Sequence, residues 1–91
     1  MLARAHVIVS GAVQGVGFRF GVRNEAMRLG VSGWVRNRID GKVEAVFEGE
    51  KAAIIKLIEY CYSGPSGSEV ADVEFEWEKH KGEFHTFEVR N

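Results

Sequence analysis

Gly11-Ala12-Val13-Gln14-Gly15-Val16-Gly17 is the stretch of this sequence best suited to chemistry. Its three glycines free the backbone to curl and to approach a ligand closely. Successive N–H groups in such a curl can converge into a nest that binds an anion. The segment also leads into a helix N-terminus, whose unpaired N–H groups and dipole favour negative charge. Arg19 falls in the first turn of that helix, where a cation is disfavoured unless an anion occupies the site. A guanidinium there can grip a phosphate or a carboxylate through two parallel hydrogen bonds. The spacing fits neither standard nucleotide motif: no Lys-Ser or Lys-Thr follows the glycines, and the third glycine of a dinucleotide fingerprint is replaced by Phe20. Asn37 closes the run Gly33-Trp34-Val35-Arg36-Asn37 just before the turn at Asp40-Gly41. Its amide donates and accepts at once, so it could hold a water in line with a bound phosphoryl group, or simply help the turn.

Other reactive side chains invite chemistry less. His6, His80 and His85 have no carboxylate or cysteine at a recognisable metal-ligand spacing, and structural or solvated roles are expected. Cys61 shares an apolar helix face with Leu57 and Ile58 and reads as a small core residue. Glu74, Glu76 and Glu78 alternate with Val73, Phe75 and Trp77, the mark of a strand with one wet face. Trp34 and Trp77 are expected in the core. Arg23, one turn beyond Arg19, is expected either to add positive potential near an anion or to pair with a surface carboxylate.

The elements that position these groups follow from periodicity. Val7, Ile8 and Val9 mark a strand over 5–10, apolar on both faces and therefore central. Phe18, Val22, Ala26 and Leu29 recur at helical steps, and Gly30 is a natural C-cap. A strand over 31–38, the Asp40-Gly41 hairpin turn and a half-buried strand through Val43, Ala45 and Phe47 come next. A second helix over 51–62 carries Ile54, Ile55, Leu57, Ile58, Cys61 and Tyr62, followed by a Gly/Pro/Ser loop over 63–68. A strand through Val73 and a short last strand with Phe87 and Val89 complete the chain. The order βαββαβ, with right-handed crossovers burying both helices, predicts an α+β ferredoxin-like split βαβ sandwich: an antiparallel sheet with both helices on one face, plus a small terminal strand.

Ninety-one residues fit one domain, 1–91. Twelve Lys+Arg against thirteen Asp+Glu leave a net charge of −1, so the basic field that gathers nucleic acid or anionic lipid is absent. An RNA-recognition module would stack bases on its central strands, but Glu44 and Glu48 flank the third strand without a basic cluster. One cysteine excludes an internal disulfide framework. With no apolar run approaching the roughly 20 residues of a membrane span and no secretory core at the start, a cytoplasmic protein without membrane or nucleic-acid partners is expected, as a monomer.

Together, Gly11-Ala12-Val13-Gln14-Gly15-Val16-Gly17-Phe18-Arg19 and Gly33-Trp34-Val35-Arg36-Asn37, with Asp40-Gly41, Val43-Glu44, Glu48-Gly49, Gly64-Pro65 and Phe87-x-Val89, closely resemble the acylphosphatase family over nearly the whole chain. The resemblance implies hydrolysis of acyl phosphates to a carboxylate and inorganic phosphate, without metal or cofactor. It implies that Arg19 binds the phosphoryl group, that Asn37 positions the attacking water, and that the backbone of Gly11, Ala12, Val13, Gln14, Gly15, Val16 and Gly17 wraps the phosphate oxygens. Gly64-Pro65-Ser66-Gly67 departs from the family's frequent Gly-Pro-Pro, which bears on the stiffness of that loop. The alternative is a non-catalytic anion sensor, or a domain of a larger protein that handles carbamoyl phosphate, as some members of the family are.

Overall fold

A computed structural model describes residues 1–91. The chain runs β1 (Leu2–Ala12), α1 (Phe18–Leu29), β2 (Ser32–Asn37), β3 (Val43–Glu50), α2 (Lys51–Ser63), β4 (Glu69–Glu78) and β5 (Phe87–Arg90). The five strands lie in one sheet in the order β4-β1-β3-β2-β5. The expected split βαβ layout is therefore present, with β1 inside the sheet. One part of the expectation is corrected: the sheet is mixed, because β5 runs parallel to β2, with Gly33 opposite Phe87 and Val35 opposite Val89. The chain reaches that edge through a segment over 79–86 that reverses it after β4.

Alternation sorts the strands into two faces. Ala5, Val7 and Val9 of β1, Val43, Ala45 and Phe47 of β3 and Val35 of β2 are buried toward the helices. Phe18, Val22 and Ala26 of α1 and Ile54, Leu57, Ile58 and Cys61 of α2 complete one hydrophobic cluster with them. Each large apolar side chain so enclosed contributes roughly 1.5–3 kcal/mol. Gly30 caps α1 in the left-handed conformation, its N–H returning to the last turn. Burial pushes the Cys61 thiol up to about 12, as befits a core residue rather than a nucleophile.

The open face and the β4 edge depart from expectation. Trp34 is only half-buried there, flanked by the guanidiniums of Arg36 and Arg90 at 5.8 and 5.1 Å from its ring. Trp77 and Phe75, on edge strand β4, remain 39% and 40% exposed. Neither tryptophan is a core residue: Trp34 lies on the uncovered face, and Trp77 lines an open groove beside α2, with Lys51 Nζ 4.9 Å from its ring centre. Ile55 and Tyr62 of α2 are likewise exposed. Arg4 is buried instead. It bonds Glu48, Glu78 and Glu83 at 3.2, 3.0 and 2.7 Å, and so draws the 79–86 segment over one end of the open face. His6 and Arg36 both reach Glu44, each at 2.6 Å. The loop after α2 is braced by Ser68, whose hydroxyl lies 2.6 Å from the carbonyl of Pro65 and 3.0 Å from that of Ser63.

Candidate active site

The connection from β1 to α1 and the end of β2 form the walls of one small cavity of about 160 Å³. Val13, Gly15 and Gly17 line one side, Arg19 and Asn37 the others, with Phe18 and Phe20 beside them. Residues 18 apart in sequence are thus brought face to face. Val13 and Phe18 are buried and anchor the connection at both ends. Between them Gly15 and Gly17 take φ of 74° and 77°, a left-handed backbone that side chains disfavour. Gly17 is also the N-cap of α1 and offers no side chain to cap it. None of the nine backbone hydrogen bonds outside helices and strands is donated by residues 13–20. This run of free N–H groups, continued into the first turn of α1, forms a surface of the kind that can receive an anion. No acidic residue occupies that turn.

Gly11 and Ala12 do not join this surface. They are exposed and still paired with Val70 and Glu69 on β4, past a slip in register between Ser10 and Gly11. The curl therefore starts at Val13, two residues later than the glycine spacing suggests. Val16 packs against the core rather than lining the cavity.

Arg19 Nη1 donates to the carbonyl oxygen of Arg90 at 3.0 Å, with Asn91 Oδ1 at 3.5 Å. One guanidinium nitrogen is thereby tethered to the end of β5, while the residue still lines the cavity. Arg23 makes no ion pair; its guanidinium lies 5.3 Å from the centre of the Phe20 ring, with Nε buried and unpartnered. Of its two expected roles, pairing with a carboxylate is excluded. Asn37 Oδ1 is buried and has no hydrogen-bond partner. Such an atom costs about 1–3 kcal/mol when left unpaired, and it belongs to a residue that lines the cavity.

The side chain of Gln14 was overlooked at the level of sequence. Its Nε2 donates to the carbonyl of Arg38 at 2.7 Å and to that of Lys42 at 2.9 Å, both in the β2–β3 turn. The available signal was a long amide set between Val13 and Gly15 in a glycine-rich turn. Wider grooves of about 410 and 430 Å³ lie beside Trp34 and Phe84 and between α2 and β4; neither includes Arg19, Asn37 or the free N–H run.

The family model for acylphosphatase matches residues 5–89. The chain belongs to the acylphosphatase family. An acylphosphatase of Roseiflexus sp. is 57% identical over 88 residues, covering 97% of this chain and 95% of its own. The crystal structure of an acylphosphatase from Bacillus subtilis superposes with a TM-score of 0.94 at 37% identity, over 100% of both chains. Full-length HypF, in a phosphate- and nucleotide-bound form, contains a region of the same fold: TM-score 0.90, 27% identity, covering all of this chain but 12% of that one. The family's first signature thus coincides with the free N–H run and Arg19, and its second ends at Asn37.

Proposed function

We propose that this acylphosphatase-family chain hydrolyses the carboxyl–phosphate bond of acyl phosphates, releasing a carboxylate and inorganic phosphate. The observation that carries the reading is the small cavity lined by residues that bear unpaired N–H groups, by Arg19 and by Asn37, whose amide oxygen has no partner. The N–H groups from Val13 onward and Arg19 take the phosphoryl oxygens. Asn37 holds the attacking water, its Oδ1 accepting one of the water's hydrogens. The leaving group is a carboxylate, whose conjugate acid has a pKa near 4, so it departs without a proton and no general acid is required. A loose phosphoryl-transfer transition state asks little of the nucleophile, and positioning with charge stabilisation supplies the catalysis. The water's second proton passes to an oxygen of the substrate or to solvent.

On this reading neither metal nor organic cofactor takes part, and turnover is insensitive to chelators. The chain works as one acylphosphatase unit, a monomer in the cytoplasm whose partners are acyl phosphate and phosphate alone. No helix is long and apolar enough to cross a membrane. The test is kinetic, with benzoyl phosphate as substrate. Arg19→Ala is expected to weaken inhibition by phosphate and to lower turnover by about a hundredfold or more, as when a principal oxyanion donor is removed. Asn37→Ala is expected to abolish most turnover while phosphate inhibition stays near wild type. Wild-type turnover in either variant, or loss of phosphate affinity alone in Asn37→Ala, contradicts the assigned role. A purely anion-sensing domain would bind phosphate and turn over nothing.

A further inference from the structure

The cavity has two walls that belong to different parts of the chain, and the backbone does not join them. Val13, Gly15 and Gly17 stand on the β1–α1 connection, and Asn37 stands at the end of β2. No backbone hydrogen bond links residues 13–17 to residues 37–42. The two bonds from Gln14 Nε2 are the hydrogen bonds that cross between them. Gln14 lies between two residues that line the cavity, and one of its acceptors, the Arg38 carbonyl, belongs to the residue that follows Asn37. The acceptors are themselves fixed. Arg38 N–H donates to the Lys42 carbonyl at 2.8 Å, and Gly41 N–H to the Arg38 carbonyl at 3.2 Å. Asp40 adds a bond from Arg38 Nη2 at 2.9 Å and one from Lys42 N–H at 3.2 Å. Gln14 therefore grips a rigid turn, not a loose one.

We infer that Gln14 is a positioning residue that sets the distance between the phosphate-binding backbone and the amide of Asn37. This rests on the reading of Asn37 given above. A carboxamide suits the task because its NH2 group offers two donors to two carbonyls at once. A hydroxyl offers one, and a carboxylate offers none. The catalytic consequence follows from geometry: a water held by Asn37 reacts only in line with the phosphorus bound on the other wall, and a displacement of about 1 Å can cost up to a hundredfold in rate.

A double-mutant cycle on the full chain tests it, with benzoyl phosphate turnover and inorganic phosphate inhibition measured for wild type, Gln14→Met, Asn37→Ala and the double variant. Gln14→Met keeps the length of the side chain and removes both donors. It is expected to lower kcat by about ten- to a hundredfold while phosphate inhibition shifts less than threefold, and to have no further effect on kcat once Asn37 is gone. The same fall in both backgrounds overturns the proposal, because Gln14 would then act on the cradle alone; so does wild-type kcat in Gln14→Met. Full turnover in Asn37→Ala refutes the reading of Asn37 itself, whatever Gln14 does. Should Gln14→Met fail to fold, Gln14→Glu supplies the second measurement. The introduced carboxyl repels both carbonyls when ionised and donates to one of them when protonated, so kcat relative to wild type must rise as pH falls from 7 to 5. A flat ratio overturns the proposal.

Discussion

Gly15 and Gly17 carry the clearest cost of the cavity at the scale of single residues. Both hold a left-handed backbone, and a Cβ at either would meet nothing within 4 Å. Substitution there probes conformation without crowding. Gly15→Ala is expected to destabilise the fold by about 1 kcal/mol, which lowers Tm by roughly 4–8 °C in a domain of this size. It should also weaken phosphate inhibition, because the released strain turns the neighbouring N–H groups away; calorimetry and inhibition kinetics check the two effects. Unchanged phosphate inhibition with a lowered Tm would separate the glycine from the anion surface. These positions were legible in the sequence because glycine spacing reports backbone geometry directly. The tether from Arg19 to the Arg90 carbonyl and the reach of Gln14 were not, since each joins residues whose proximity only the finished sheet creates.

Between elements, the bond network around Arg4 decides where the last strand goes. Glu48 is 1% exposed, and its Oε2 accepts both Arg4 Nη1 at 3.2 Å and Lys81 N–H at 2.7 Å. Burial pushes the Glu48 carboxyl up, but these partners outweigh it and hold the group below its ordinary range. Arg4→Met leaves that buried carboxylate short of its charged partner and is expected to cost about 3 kcal/mol, at the lower end for breaking a buried pair. Chemical denaturation measures the loss. The segment over 79–86 should loosen first, with faster amide exchange there than in β3. A cost under 0.5 kcal/mol would mean that water or Lys81 alone satisfies Glu48. Hydrophobic periodicity predicted every element here, yet it placed Trp34 in the core when the residue lies half-buried on the open face. Arg4 and Glu48 look solvated in sequence, and their burial depends on partners in the 79–86 segment, 79 and 33 residues away respectively. The direction of β5 was hidden for the same reason: four residues carry no signal for parallel or antiparallel pairing.

For the molecule as a whole, the ionisable groups bound a pH window. Glu44 and Glu48 both sit below their ordinary value of 4.5. In Glu44, hydrogen bonds from His6 and Arg36 overcome the upward push of burial. The unfolded chain therefore binds more protons just below that value, and stability falls as pH drops through the depressed native values. Cys61 works from the other side. Its thiol, raised from 9.0 to about 12, stays neutral in the fold while the unfolded chain ionises, so stability is full below about 9 and declines toward 12. Tm is expected to be level between about pH 5 and 9 and to fall on both sides, with the alkaline fall shallower in Cys61→Ala; scanning calorimetry across pH checks both limbs. An acid limb that begins above pH 6 would contradict the assignment to Glu44 and Glu48. The last consequence concerns handling. Arg19 meets the carbonyl of Arg90, so any chain attached after Asn91 leaves from beside the cavity. Met1 lies at the far end of β1, its ammonium on Glu50 at 2.6 Å, roughly 30 Å of strand away. A purification handle or fluorescent label belongs at that end.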